Sequence, residues 1–276
     1  MEGKEIIEQF RVAFEPNYIP QGNEEQVFRH AKATSIPAIL KGPTGCGKTR
    51  FVEHMAWQLH LPLVTVSCHE DLTASDLVGR YLLKDNDTFW QDGPLTLAVR
   101  HGAICYLDEI VEARKDTTVI IHSLTDDRRI LYIDKTGEVV HAHPSFMMVL
   151  SYNPGYQSIV KDLKHSTKQR FASLAFSHPR PEVETKIIQT ETGLSAEASA
   201  KLAEMGSKIR ELKGFGLDEG VSTRLLVYVG RLVQGGLPVL EACNAAVSQT
   251  LTEDPEMIDS INHIVKLYFG ELMETA

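Results

Sequence analysis

The chain lacks any run of about 20 apolar residues, the length a helix needs to cross a bilayer, so neither a transmembrane helix nor direct membrane insertion is expected. Its first stretch, MEGKEIIEQFRVAFEP, carries acidic residues and no leader-like apolar core, so no signal peptide is expected either. Cysteine is scarce. The four present, Cys46, Cys68, Cys105 and Cys243, show no CxxC spacing, which suits reduced thiols in a cytoplasmic protein. Positive charge is also short: 28 Lys and Arg against 37 Asp and Glu leave a net charge of −9. That balance argues against nucleic acid as the main partner unless the charge is very unevenly placed. With these classes set aside, 276 residues at 43% hydrophobic and 24% charged are ordinary for a globular protein and leave room for two domains.

The most informative stretch is IPAILKGPTGCGKT, residues 36–49. Ile36–Leu40 is a short apolar run closed by glycine and reads as a buried strand. GPTGCGKT then fits G-x-x-x-x-G-K-[ST] from Gly42 to Thr49. RFVEHMAWQLH follows with Phe51, Val52, Met55, Ala56 and Leu59 at helical spacing. By chance the pattern arises in roughly 1% of chains this long, and the strand and helix around it lower that further. The expected chemistry is a phosphate cradle. Gly42, Gly45 and Gly47 can take positive φ, so that successive N–H groups face one concavity, and the helix N-terminus adds its own donors. Pro43, Thr44, Cys46 and Arg50 complete the nucleotide-binding set; Lys48 reaches the β/γ-phosphates and Thr49 ligates Mg²⁺.

Before the strand, Ile6, Ile7, Phe10 and Phe14 could share one helix face ended by Pro16. Tyr18-Ile19-Pro20 reads as extended; such a segment packs either on the adenine or on the protein surface. Asn23 is expected to cap a helix reaching about Thr34, with Gln26 at the capping-box position. Leu63–Ser67 reads as a second strand and Asp71–Val78 as a short helix. Residues 79–93 then interrupt the βα rhythm with a hairpin turning at Lys84–Asp87, before a helix over Leu95–His101.

AICYLDE, Ala103–Glu109, is the third strand, and it delivers two carboxylates to its C-terminal end, where ligands bind in open α/β sheets. Asp108 suits holding Mg²⁺ through its water shell, and Glu109 suits polarising the attacking water as a general base. Glu112–Leu124 is expected to be helical, and 129–143 to form a second hairpin. His141 and His143 within it could suggest a metal, but no further Cys or His has suitable spacing. Ser145–Ser151 is the fourth strand; Asn153, just past it, could position the attacking water, or simply form a turn before Pro154. A basic stretch, Leu163–Phe171, precedes a short fifth strand, Ser173–Phe176. Arg170 there reads as a finger stabilising charge on the transferring phosphoryl group of a neighbouring subunit, against the alternative of a surface arginine.

From Glu182 strands give way to helices: Val183–Thr192, Ser195–Lys213, Val221–Gln234, Val239–Ser248 and Pro255–Gly270. Arg224 falls in the first turn of one of them, where a cation opposes the helix dipole. Contact with a bound triphosphate would explain that placement.

The phrases GPTGCGKT, CYLDE, SYNPG, KQRF and GVSTR, in that order, resemble the AAA+ ATPases and their MoxR branch. LKGPTGCGKTRFVEHMA, DLVGRYLLK, WQDGPLTLAVR, YLDEIVEARKD, LTDDRRIL and SYNPGYQ narrow the resemblance to the CbbQ/NirQ/NorQ family, densely over residues 18–190. The resemblance implies an α/β fold: an αβα P-loop NTPase core on a parallel five-stranded sheet, then a small α-helical lid. Domain bounds are expected at 1–22 (a lead-in whose residues 1–17 run longer than the family pattern), 23–180 and 181–276, with inserts at 79–93 and 129–143. It also implies ATP and Mg²⁺ as cofactors, with Lys48 and Thr49 as the Walker A pair, Asp108 and Glu109 as Walker B, Asn153 as sensor 1, Arg170 as arginine finger and Arg224 as sensor 2. The partners implied are five further copies in a homo-hexamer, a von Willebrand factor A-domain adaptor (CbbO/NorD-like) and a target enzyme, rubisco first or nitric oxide reductase as the alternative. A small-molecule kinase would not need Glu109, Asn153 and a trans arginine together. A nucleic-acid motor is disfavoured by charge, and a binding-only scaffold by Glu109.

Overall fold

The computed structural model describes residues 2–84, 87–154 and 163–270. The tip of the first expected hairpin (Asp85, Asn86) and the end of the SYNPGYQ phrase (155–157) lie outside them. Contacts divide the chain into two units: Met1–Pro16, Gly22–Gly42 and Lys48–Phe176 in one, and Asn17–Gln21, Pro43–Gly47 and Ser177–Ala276 in the other.

The first unit runs α1 (Glu2–Glu8), α2 (Glu24–Ala33), β1 (Ala38–Lys41), α3 (Lys48–Gln58), β2 (Leu63–Ser67), α4 (Ala74–Val78), β3 (Gly79–Lys84), β4 (Asp87–Asp92), α5 (Pro94–His101), β5 (Ile104–Asp108), α6 (Lys115–Ile120), β6 (Ile130–Ile133), β7 (Glu138–His141), β8 (Met147–Tyr152), α7 (His165–Lys168) and β9 (Ala172–Ala175). Five strands form a parallel sheet in the order β2-β5-β8-β1-β9. The central strands of a parallel sheet are covered on both faces and are written as mostly apolar runs: β8 is buried at every position and β5 at its first four, whereas the outer strands β2 and β9 are partly exposed. Lys41 lies opposite Tyr152, Ser67 opposite Asp108, and Leu107 opposite Leu150. The C-terminal ends of β1, β2, β5 and β8 therefore line up, and the residues that follow them, Gly42, Cys68, Glu109 and Asn153, come out along one sheet edge.

The two expected hairpins form, β3 with β4 and β6 with β7. Tyr81 packs edge-on against Trp90, with ring centroids 5.3 Å apart. Arg100, at the end of α5, ties the two hairpins together: Nε donates to Asp92 Oδ2 of β4 at 2.9 Å, and Nη1 donates to Glu138 Oε1 of β7 at 2.6 Å. The Tyr81 hydroxyl also donates to the Lys135 carbonyl in the second hairpin, at 3.4 Å.

Local readings differ from the structure in several places. The lead-in helix stops at Glu8, the Phe10 carbonyl accepts from Leu63 N–H at 2.8 Å, and Phe14 is 85% exposed. Asn23 precedes α2 but makes no side-chain cap. The capping box sits at α4 instead, where Thr73 and Asp76 bond reciprocally. The segment expected as one helix over Glu112–Leu124 is a 3₁₀ turn (Ile110–Glu112), α6 and a second 3₁₀ turn (Ile121–Leu124).

The second unit is helical: α8 (Pro181–Thr192), α9 (Ala196–Arg210), α10 (Thr223–Gln234), α11 (Val239–Cys243), α12 (Gln249–Leu251) and α13 (Pro255–Phe269). The expected continuous helix over Val239–Ser248 is broken by a π-helical turn at Asn244–Ser248. Ile188, Leu202, Met205, Ile209, Leu226 and Ile261 lead its own buried core. Gly206 lets α9 and α10 meet closely: a Cβ there would stand 2.6 Å from Leu226 Cδ1.

Candidate functional site

On the sheet unit, the site is built where β5 and β8 end. Successive strand residues face opposite sides, so Tyr106 and Asp108 share one face of β5. The Tyr106 hydroxyl donates to Asp108 Oδ1 at 2.6 Å, and Ser151 Oγ of β8 donates to the same oxygen. Asp108 Oδ2 accepts from Thr49 Oγ1 at 3.3 Å, and Thr49 Oγ1 lies 3.5 Å from the Tyr106 hydroxyl. Burial above all, with the Asp108 charge beside it, pushes the Tyr106 phenol up, so it stays a donor. Two hard oxygen atoms, a hydroxyl and a carboxylate, thus converge, the donor set Mg²⁺ takes.

Glu109 follows at φ 55, ψ 48, the left-handed region that costs an L residue about 1–2 kcal/mol. Its N–H donates to Ser151 Oγ at 3.0 Å. Asn153, 4% exposed, comes directly after β8. Cys68 N–H donates to the Asp108 carbonyl at 2.9 Å, and burial, reinforced by the Asp108 and Glu109 charges, pushes the Cys68 thiol up to about 12.

Lys48 is 6% exposed, and its Nζ donates to the Gly42 carbonyl at 2.8 Å. Gly42 does not take the positive φ expected of it. Its glycine is required by close approach, since a Cβ there would stand 2.5 Å from the Phe176 carbonyl oxygen. Arg50 pairs with Glu53 at 3.4 Å on the exposed side of α3. Arg170 is turned back onto α7, with Nη1 donating to the Ser166 carbonyl at 2.8 Å. Beside it, His122 meets Thr167 Oγ1 at 3.0 Å; burial first, then the charges of Arg170 and Lys164, hold this imidazole below the usual histidine range. The HAH histidines serve the second hairpin: His141 ends β7, and the His143 ring accepts from Ser145 N–H at 3.1 Å.

The loop residues Pro43, Thr44, Gly45, Cys46 and Gly47 belong to the helical unit. Gly45 (φ 68) and Gly47 (φ 99) do take the left-handed region. A Cβ on Gly45 would stand 2.5 Å from Ser222 Cβ and 3.6 Å from Arg224 Cβ. Ser222 caps α10, and Arg224 is its second residue, exposed. The start of α10 is fixed from below by Glu184, fully buried, which accepts from both Arg210 terminal nitrogens (2.8 and 2.6 Å) and from the Thr223 hydroxyl (2.6 Å). Arg210 Nε also donates to the Val221 carbonyl at 2.8 Å. The sequence reading missed Tyr106, Ser151 and this Glu184 anchor. Alternation along the strands could have found the first two, since each stands two residues before a residue already singled out.

Known proteins share this pattern. Residues 37–171 match the AAA domain (dynein-related subfamily), and residues 184–268 match the CbbQ/NirQ/NorQ C-terminal family. Protein CbbQ of Hydrogenophilus thermoluteolus is 59% identical over 253 residues, 92% of this chain and 95% of that protein. Protein NorQ of Paracoccus denitrificans is 56% identical over 255 residues, 92% of this chain and 94% of that one. The denitrification regulatory protein NirQ of Stutzerimonas stutzeri is 49% identical over 255 residues, 92% and 93% of the two chains. The fold is similar to that of a protein described as a candidate ATPase from Cytophaga hutchinsonii, with a TM-score of 0.52 at 16% identity over 100% of this chain and 91% of that one.

Proposed function

The chain belongs to the CbbQ/NirQ/NorQ family of AAA ATPases, and from that premise we propose that it hydrolyses ATP to remodel and so activate a target enzyme. The observation that carries the ATPase reading is the convergence of Thr49, Asp108 and Glu109 at the ends of β5 and β8, with Lys48 capping the strand before the phosphate loop.

In this reading the N–H groups of Thr44–Thr49 and the Lys48 ammonium bind the β- and γ-phosphates. Thr49 and Asp108 hold Mg²⁺, which neutralises charge on the phosphates when bound. Gly42, Pro43 and Cys46 shape the loop and Arg50 follows it. Glu109 takes a proton from the attacking water, and Asn153 orients that water. Arg224, beside Gly45, reaches the γ-phosphate, and Arg170 is supplied to the nucleotide of the next copy in a hexamer, which makes hydrolysis depend on assembly. The helical unit, 181–276, acts as a lid, and the hairpins at 79–93 and 129–143 pass its motion to the target. AAA+ proteins are typically oligomeric. Among the described residues no helix is long and apolar enough to cross a membrane.

The target favoured is rubisco, freed of inhibitory sugar phosphates together with a von Willebrand factor A-domain adaptor in the cytoplasm; the 59% identity to CbbQ supports it. The second reading, activation of nitric oxide reductase, is supported by the 56% identity to NorQ. The test is recovery of sugar-phosphate-inhibited rubisco by the purified chain with ATP and the adaptor. Recovery that needs ATP and fails in Glu109→Gln supports the first reading. ATP turnover without recovery refutes it and leaves nitric oxide reductase to be assayed in the same way. Deleting 81–91 should leave ATP binding intact and abolish activation.

A further inference from the structure

We propose that Ser151 is a positioning residue for hydrolysis, holding Glu109 in its left-handed turn while it orients Asp108. The inference deepens the ATPase reading above and rests on it.

Ser151 is fully buried near the end of β8, two residues before Asn153. Its hydroxyl makes two bonds at once. The proton goes to Asp108 Oδ1, and the oxygen accepts the Glu109 N–H at 3.0 Å. One small side chain therefore links the residue that would hold the metal to the residue that would act as base, through a carboxylate on one and a backbone amide on the other. Tyr106 bonds the same Asp108 oxygen, at 2.6 Å. With both donors on Oδ1, Oδ2 is left to face Thr49.

The link to Glu109 is what sets Ser151 apart. An L residue enters the left-handed region at a cost comparable with the worth of one hydrogen bond. An N–H bond at that residue is therefore able to decide whether the turn holds. Relaxing φ from 55° to a negative value would re-aim the Cα–Cβ bond and carry the carboxylate off its line of attack. Misplacement of a reacting group by about 1 Å costs up to ~100-fold in rate. Tyr106 bonds the Asp108 carboxylate, whereas Ser151 bonds both that carboxylate and the Glu109 N–H, so the two hydroxyls separate by experiment.

The test compares Ser151→Ala with Tyr106→Phe in the full chain. Two quantities are read: the Mg²⁺ dependence of binding a fluorescent ATP analogue, and kcat at saturating Mg²⁺. Both variants should raise, by a similar few-fold, the Mg²⁺ needed for nucleotide binding, since each removes one donor from Asp108. Saturating Mg²⁺ should restore kcat in Tyr106→Phe. Ser151→Ala should stay roughly 10- to 100-fold slow, with nucleotide affinity within about two-fold of wild type. Added to Glu109→Gln, Ser151→Ala should slow the residual hydrolysis no further, as expected of two groups acting as one. Ser151→Cys, similar in size with a weaker hydrogen bond, should fall between, and it carries the test if the alanine variant fails to fold. Wild-type kcat in Ser151→Ala, a defect cleared by Mg²⁺, or additive slowing with Glu109→Gln would overturn the proposal. A wild-type chain that binds MgATP as an assembled ring and never turns it over would instead sink the ATPase reading, and this inference with it.

Discussion

Replacing Arg210 with methionine should strongly destabilise the helical unit. Glu184 is 0% exposed, and in the native unit it accepts two bonds from Arg210 and one from Thr223. Methionine keeps most of the apolar stem of Arg210 and removes the charge, so the loss is electrostatic rather than a cavity. Glu184 is then left buried with the Thr223 hydroxyl as its remaining partner of the three, and the Val221 carbonyl loses the Arg210 Nε–H. Stranding one member of a buried ion pair costs about 3–5 kcal/mol. A domain of this size has only about 5–15 kcal/mol to lose. At roughly 4–8 °C per kcal/mol for ~100 residues, the melting temperature of the helical unit should fall by at least ~12 °C. Hydrogen exchange should show the loss first at the start of α10, where Val221 and Thr223 are anchored. ATP affinity should drop with it, because Arg224 is the next residue along. The double variant Glu184→Leu/Arg210→Met, which removes the stranded charge, should recover most of the stability. A single variant that melts within about 3 °C of wild type would refute the reasoning, since the pair would then be worth no more than an exposed one.

Acid should weaken the loop that carries Arg170. The imidazole of His122 titrates below its usual range when folded, so its neutral form contributes stability above pH ~6.5 that is lost as pH falls through the folded-state value. Melting temperature should decline between pH 7 and 5 less in His122→Asn than in wild type; an identical decline in both would exclude this histidine as the cause. All four thiols are buried, and those of Cys68 and Cys243 are pushed up to about 12, so the native protein at pH 8 should resist an aromatic disulfide reagent until denatured. Fast reaction of even one thiol in the native state would contradict the burial. Arg100→Ala removes the ion-paired tie between the hairpins, leaving the Tyr81 bond to Lys135, and should cut target activation several-fold while basal ATP turnover holds; unchanged activation would show that this tie does not couple them.

The sheet was legible because its central strands are buried on both faces and therefore written as apolar runs between glycines and polar ends. Leu63–Ser67 was read to the residue, and Asp108 and Glu109 were singled out because a strand end is where an open α/β sheet presents ligands, and the structure does place them at the end of β5. Four things were not legible. Asn23 and Gln26 have the right types for a capping box, yet the box forms at Thr73 and Asp76, because type permits a cap and only backbone geometry makes one. The Glu112–Leu124 helix breaks into 3₁₀ turns around α6, a tertiary preference that overrides spacing. The pairings of the supporting polar groups, Ser151 under Glu109 and Glu184 under α10, span 42 and 39 residues in sequence, so neither partner could be read locally, even though alternation along β8 flags Ser151 itself. Gly42 was read as a conformational glycine, whereas it is needed for the approach of Phe176.

The most direct test of the central claim is ATP turnover by Glu109→Gln beside wild type, with binding of the fluorescent ATP analogue measured on the same samples. The account predicts that Glu109→Gln binds MgATP with wild-type affinity and hydrolyses it about 100-fold or more slowly, the usual worth of a general base. Hydrolysis at the wild-type rate in Glu109→Gln would contradict it, since the carboxylate held at the end of β5 would then play no part in the reaction.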